Sequence, residues 1–565
     1  MAGKKHNSRN RNGNGKIKLI PLGGVGEIGK NMFLVEYGKE ILVVDAGLAF
    51  PDEELLGIDI VIPDMTYVTE NKDKVKGIVL THGHEDHIGA LAYLLREVNV
   101  PVYGTRLTLG LAMAKLREHN FTESDIQLIR VNPGEQAKIG GFKVDFIRVN
   151  HSIADAVGLG IHTPAGTIVH SGDFKLDQTP VDGEVMDLHK FAELGDQGVL
   201  LMLSDSTNAD RPGYTKSEKV IGKALDEIFR KAAGRIIVAT FASNVHRIQQ
   251  VIDAAISHNR KVAVVGRSMV DVVNIALDLN YLKAPDGVII EMDAANKLPK
   301  HQVAIISTGT QGEPMSALTR MSTGDHKKVD IIPGDTVVLS ATPIPGNEKL
   351  VARTINNLYR RGAEVIYEPI SQVHVSGHAS REEIKLLINL VRPKYLVPFH
   401  GEYRHLVHLA EIAEEMGIDR GNIFLPEIGD ILEFSEEAGA LAGKVASGKL
   451  LVDGLGVGDV GNVVLRDRRQ LSQDGILIVV VAIDKASGTV VSGPDILSRG
   501  FVYVRESEQL MEEARDKVST ALDKYVGDKS VDWASIKNSV REVLGRYLYE
   551  KTRRRPMIMP IIMEI

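Results

Sequence analysis

The sequence predicts an α/β protein of several domains, and three features of the chain point there. Apolar runs short enough for buried strands alternate with helical patterns, as at 78–80, 88–98, 100–104 and 107–118. At 565 residues and 61.7 kDa the chain is too long for one hydrophobic core. Side chains able to hold a metal recur just past strand ends, where sheet-based sites are built.

Taken in order, residues 1–16 carry five Lys or Arg and no acid, and read as a disordered basic tail. Without an apolar segment they are not a secretory signal. Strand patterns at 17–22 and 32–37 flank GGVGEIGK, whose Gly24, Gly26 and Gly29 imitate a dinucleotide fingerprint. That fingerprint needs a helix after the glycines, and here an extended pattern follows, so the segment reads as a tight strand-to-strand loop. The strand pattern 41–44 ends in Asp45, placed to orient a ligand histidine.

The next strand pattern runs into THGHEDH, which puts His82, His84, Asp86 and His87 at one strand end. His82 and His84 are two apart and face the same way in extended backbone, while Asp86 and His87 point elsewhere, as a second ion requires. Imidazole and carboxylate are the ligands zinc accepts without thiolates, and this chain has no cysteine. The HxHxDH pattern resembles the metallo-β-lactamase superfamily. Further strand ends deliver His151 and Asp173, and 395–398 delivers His400. Sorted by type, His82, His84 and His151 would hold one ion and Asp86, His87 and His400 the other, with Asp173 bridging. Two cations about 3.5–4 Å apart suit phosphodiester hydrolysis.

The 226 residues between Asp173 and His400 far exceed a connecting loop and read as an inserted α/β domain with a mostly parallel sheet. An interrupted core followed by HVSGHAS and PFHGE is similar to the β-CASP nucleases. Within that group, SDSTN at Ser204, ATFASN at Ala239 and the C-terminal α/β region look like the bacterial ribonuclease J family. The resemblance implies a metallo-β-lactamase αββα sandwich with an inserted α/β β-CASP domain and a small C-terminal α/β domain. The expected boundaries are core 17–208, insertion 209–370, core 371–435, linker 436–459 and C-terminal domain 460–565, the last with strand patterns at 462–465, 476–483, 502–504 and 556–562 and helical patterns at 509–526 and 533–551. By resemblance Asp205 matches the first insertion motif and His378 the histidine motif.

The expected catalytic residues are His378, Asp86 and Asp205. His374, Val375, Ser376, Gly377 and His378 open a helix in a Gly-containing turn suited to a phosphate, as do Phe241, Ala242, Ser243 and Asn244. The cofactor expected is two Zn2+ per subunit, with Mn2+ or Mg2+ as alternatives. The resemblance implies a 5′-to-3′ exoribonuclease preferring 5′-monophosphate ends, with endonuclease activity, acting in mRNA decay and rRNA maturation. It further implies single-stranded RNA as substrate, a homodimer or homotetramer, and RNA-decay partner proteins. Alternatives are a β-CASP nuclease acting on DNA and a catalytically silent RNA-binding scaffold subunit; the insertion disfavours a small-molecule hydrolase. The net charge of −7 gives no global attraction to polyanions, so any RNA surface must be local. Candidate contributors are Arg247, Arg260, Lys261, Arg267, Arg353, Arg360 and Arg361, and in the last domain Arg466, Arg468, Arg469 and Arg553 to Arg555. No apolar run approaches a membrane span, and a cytoplasmic location is expected.

Overall fold

The computed structural model describes residues 15–565 except 53, 314, 345, 369, 485–486, 488, 503–506 and 526–532. The chain divides into two compact units, one from the segments up to Phe50 and Val61–Leu450, the other from Pro51–Ile60 and Leu451–Ile565.

In the first unit two sheets pack face to face. One has eight strands in the order Gly439–Lys444, Asp430–Phe434, Ile17–Gly23, Met32–Tyr37, Glu40–Val44, Val75–Val79, Val102–Gly104 and Leu128–Arg130. The other has six, in the order Tyr395–Phe399, Leu201–Asp205, Gly166–His170, Val157–Thr163, Phe142–Arg148 and Gln136–Ile139. Strand alternation sends Leu19, Phe33, Val35 and Val44 from the first sheet, and Phe146, Leu159, Leu203 and Phe399 from the second, into one shared core. Each such side chain contributes about 1.5–3 kcal/mol by leaving water. Helix Arg106–Glu118 covers the first sheet, and helix Tyr403–Glu415 packs on strand Tyr395–Phe399 of the second. The result is an αββα sandwich.

Between the core strands Leu201–Asp205 and Tyr395–Phe399, which pair in parallel, the chain leaves to build a five-stranded sheet. Its order is Lys261–Val265, Val303–Ser307, Ile236–Ala239, Thr336–Leu339 and Glu364–Ile366, and every pairing is parallel. Parallel neighbours need crossovers, which helices Val245–Ser257, Arg267–Asp278 and Glu348–Arg360 help provide. Strands Ile236–Ala239 and Thr336–Leu339 are neighbours, yet the chain leaves them toward opposite edges of the sheet. The segments 240–244 and 340–344 therefore flank a topological switch point at the sheet's C-terminal edge.

The second unit contains a sheet ordered Val490–Arg499, Ile476–Ile483, Met557–Glu564. Leu477, Val479 and Val481 bury one of its faces together with helices Glu508–Asp523 and Trp533–Thr552.

Two expectations change. The stretch 436–459 is not simply a linker: strand Gly439–Lys444 pairs antiparallel with Asp430–Phe434, and Lys449–Asp453 is also a strand. Its Gly, Ala and Ser side chains bury little, but an edge strand needs only its backbone groups paired on one side. The apolar run 462–465, expected as a strand, opens helix Asn462–Asp474, whose Arg468 pairs with Asp453 and Arg469 with Glu54. Tertiary ion pairs and a charge-rich continuation outweigh the β preference of Val463 and Val464. The strand expected at 502–504 and the end of the helix expected at 509–526 lie partly outside the described residues. Among the described residues no helix is long and apolar enough to cross a membrane.

Candidate metal centre

Strand Val75–Val79 is paired in parallel with Glu40–Val44, so both chains emerge side by side at one sheet edge. Asp45, in left-handed backbone at φ 61, closes the gap between them. Its Oδ1 accepts the Thr81 N–H at 2.8 Å, and its Oδ2 accepts the Thr81 hydroxyl and His87 Nδ1–H, each at 2.8 Å. With Nδ1 so held, the His87 ring turns Nε2 toward the centre, 3.1 Å from the Asn31 side-chain amide. The glycine-rich segment is a strand-to-strand loop, Gly23 pairing with Met32. It serves His400, whose N–H donates to Gly24 O at 2.6 Å and whose φ of 53 needs that support.

Two nitrogen and oxygen sets result. His82, His84 and His151 converge, with His84 Nδ1 3.0 Å from His82 Nε2 and 3.1 Å from His151 Nε2. Asp86, His87 and His400 form the second set, with Asp86 Oδ2 3.1 Å from His400 Nε2 and 3.7 Å from His87 Nε2. Asp173 Oδ2 lies between them, 3.0 Å from His400, 3.2 Å from His87, 3.8 Å from His82 and 3.9 Å from His151. Its Oδ1 is buried without a hydrogen-bond partner. Burial pushes His84 down to about 4 and holds His82 and His151 well below the ordinary imidazole range. Burial acts the same way on His87 and His400, but Asp173 and Asp86 outweigh it, raising His87 well above its usual value and His400 to about 10. Lone pairs and carboxylates crowded in a dry pocket, with one carboxylate oxygen unpaired, are what divalent cations satisfy, and the residues fit a metal.

The segment 374–378 approaches from the far side of the insertion. His374, Ser376 and His378 are half-buried, whereas Val375 and Gly377 are buried. The Gly377 carbonyl accepts from His151 Nδ1 at 2.8 Å, and a Cβ there would sit 2.8 Å from the same ring, so glycine allows the approach. His378 stands beside both sets, its ring 4.9 Å from His151 and 5.2 Å from His400. Asp205 Oδ2 accepts from His378 Nδ1 at 2.8 Å. Ser376 Oγ accepts from Asn208 Nδ2 at 2.8 Å.

Matches to family models follow this architecture. Residues 25–211 match the metallo-β-lactamase superfamily, 233–358 the ribonuclease J β-CASP domain, 362–426 a Zn-dependent metallo-hydrolase RNA specificity domain, and 463–565 the ribonuclease J C-terminal domain. The chain is 49% identical over 562 residues to ribonuclease J2 of Bacillus subtilis, covering 100% of both chains. The chain belongs to the ribonuclease J family. It is also 45% identical to ribonuclease J 2 of Staphylococcus saprophyticus, covering 98% of this chain and 99% of that one, and 43% identical to ribonuclease J 1 of Streptococcus pyogenes, covering 97% and 98%. A crystal structure of an Enterococcus faecalis protein of unknown function shares the fold, with a TM-score of 0.53 and 17% identity, covering 74% of this chain and 100% of that one.

In this ribonuclease J chain the loop with Phe241, Ala242 and Ser243 is half-buried at the switch point, and buried Asn244 caps the next helix by accepting the Arg247 N–H at 3.0 Å. Arg247 is not a channel residue. It is fully buried, bonded to Glu218 at 2.6 Å and to the Ser340 and Val373 carbonyls at 2.9 and 3.0 Å, which ties the insertion to the 374–378 segment. Arg260 is likewise buried, capping the Ala232 and Gly234 carbonyls. Arg267 opens a helix at the sheet's C-terminal edge, whereas Lys261 begins a strand and Arg360 ends a helix at the opposite edge. The seven cations therefore do not line one wall.

Two residues escaped the sequence reading. Asn31 holds the Asp86 carbonyl with its N–H at 3.0 Å and its side-chain amide at 3.2 Å. Glu383 is fully buried and accepts backbone N–H groups of Leu176, Thr215 and Ser380, each at 2.7 Å. The S-x-x-E capping pattern from Ser380 marks Glu383 as a helix cap, but only the fold reveals its two distant donors.

Proposed function

We propose that this chain hydrolyses phosphodiester bonds of single-stranded RNA at the His and Asp centre, leaving a 5′-phosphate on the product. The observation that carries the reading is Asp173 Oδ2, placed between two ligand sets beside an Asp205–His378 pair. His82, His84 and His151 would hold one Zn2+, and Asp86, His87 and His400 the other, with Asp173 shared; Mn2+ and Mg2+ suit the same donors less selectively. Such ions acidify water and offset charge on phosphoryl oxygens.

The protein groups then divide the work. Asp205 accepts the Nδ1–H of His378 and fixes the orientation of its ring, and His378 Nε2 is the atom that hands a proton to the departing 3′ oxygen. As water attacks phosphorus in line, the P–O3′ bond breaks and the His378 proton goes to the 3′ oxygen, while the proton lost by the water passes to solvent, from which His378 is reprotonated. Ser376, the 374–378 backbone and the Phe241–Asn244 loop bind flanking phosphates, and Phe241 stacks on a base. Family membership supports 5′-to-3′ exonuclease action favouring a 5′-monophosphate, endonuclease action, a role in mRNA decay and rRNA maturation, homo-oligomers, RNA-decay partner proteins and a cytoplasmic location.

The test is a time course on end-labelled RNA bearing a 5′-monophosphate or 5′-triphosphate, with chelator and His84→Ala controls. Metal-dependent release of mononucleotides from the monophosphate substrate is expected. Internal fragments alone would make the enzyme an endonuclease, and no cleavage by metal-loaded protein would sink the reading.

A further inference from the structure

The second unit carries cations that the metal centre does not account for. Helix Trp533–Thr552 ends in a tight reversal, with the Arg553 N–H bonded to Tyr549 O at 2.9 Å and Arg553 itself in left-handed backbone at φ 58. The turn brings the Arg553 and Arg555 guanidinium carbons to 5.5 and 4.5 Å from the Tyr549 ring centroid. The backbone beyond is pinned: the Arg555 N–H donates to Asp474 Oδ2 at 3.1 Å, and its carbonyl accepts from Gln470 Nε2 at 3.0 Å.

The surrounding charges are committed elsewhere. Arg466, Arg468, Arg469 and Arg546 pair with Asp467, Asp453, Glu54 and Glu542, and Lys551 pairs with Glu513. Arg554 donates to Phe501 O. Among the described residues the Arg553 and Arg555 side chains have no ion pair or hydrogen bond, and both are exposed. A helix C-terminus favours any nearby cation. It does not require two arginines held over one aromatic ring. Stacked guanidiniums keep their forked donors free and lose little freedom on binding, which suits bidentate capture of phosphates, and their planar faces accept a base. In a chain of net charge −7, residues 551–555 hold four cations and no acid.

We propose that Arg553 and Arg555, stacked on Tyr549, form a second binding site for single-stranded RNA, engaging two of its backbone phosphates. The inference rests on the ribonuclease reading above, and its test separates the two. Full-length protein in chelator is titrated with a fluorescent 30-nucleotide polyuridine over a range of salt, as wild type and as Arg553→Ala/Arg555→Ala. The double variant should bind about tenfold more weakly, with the slope of log affinity against log salt shallower by about 1.4, as two lost single-strand phosphate contacts require. Tyr549→Leu should lose affinity in part and Tyr549→Phe should not, because the stack needs the ring and not the hydroxyl. With metal restored, the double variant should cleave a six-nucleotide RNA at the wild-type rate. Unchanged affinity and slope in the double variant would overturn the second site. Wild-type protein that binds in chelator but cleaves nothing with metal would refute the ribonuclease reading instead.

Discussion

Replacing Glu383 by glutamine should loosen three segments at once while changing little in volume. One Glu383 oxygen accepts the Leu176 N–H, the other accepts those of Thr215 and Ser380. Leu176 follows Asp173 by three residues, Thr215 lies in the segment that leaves the core after strand Leu201–Asp205, and Ser380 follows His378 by two, so one carboxylate registers the Asp173 and His378 segments against each other. An amide offers only one acceptor oxygen, so in either orientation at least one buried N–H faces an NH2 group. A lost charge-assisted bond costs about 1.5–3 kcal/mol, and an unsatisfied donor costs a comparable amount. Allowing for partial relaxation, about 3 kcal/mol is expected, roughly a hundredfold in the local opening equilibrium. Hydrogen exchange read by mass spectrometry on peptides spanning 174–178, 213–217 and 378–382 checks this. Protection should fall by about two orders of magnitude in these peptides together, and a change below about threefold would refute the argument.

Other substitutions probe separate links. Asp45→Asn places an amide where His87 Nδ1–H now donates, forcing the proton toward Nε2; metal affinity by chelator competition should fall about 10- to 100-fold. His378→Gln should slow RNA cleavage by about 10²–10⁴ while metal content by mass spectrometry stays at the wild-type level, and lost metal would assign His378 to the ligands instead. Burial, aided by Arg247, Lys175 and Arg211, pushes His374 down to about 3. The unfolded imidazole binds its proton near 6.5, so this contribution is intact above that pH and declines by about 1.4 kcal/mol per unit as pH falls toward 3. Urea midpoints at pH 7, 6 and 5 should therefore drop more steeply in wild type than in His374→Gln, and parallel curves would contradict the assignment.

Much of the fold and of the candidate site is local in origin and was legible in residue order. Strand runs ending in ligand side chains mark where sheets stop, and HxHxDH packs four donors into six residues, so His82, His84, Asp86 and His87 could be grouped before any packing was known. The refusal of the glycine-rich loop to continue as a helix was equally readable, because the apolar pattern after Asn31 has the period of a strand. Other features depend on contacts between segments far apart in sequence. Arg247 looks like a surface cation in its helix, yet packing closes over it and supplies Glu218, Ser340 and Val373 as partners. Glu383 reads as one helix cap and proves to hold three segments. The edge strand 439–444 has side chains with no core preference and exists because Asp430–Phe434 offers unpaired backbone beside it. The sequence by itself determined which atoms are capable of binding metal and phosphate, since that is a property of side-chain chemistry and short spacing. Tertiary structure alone decided which of them meet, because Asp173 Oδ2 reaches His82, His87 and His400 only after two sheets and an insertion have closed around them.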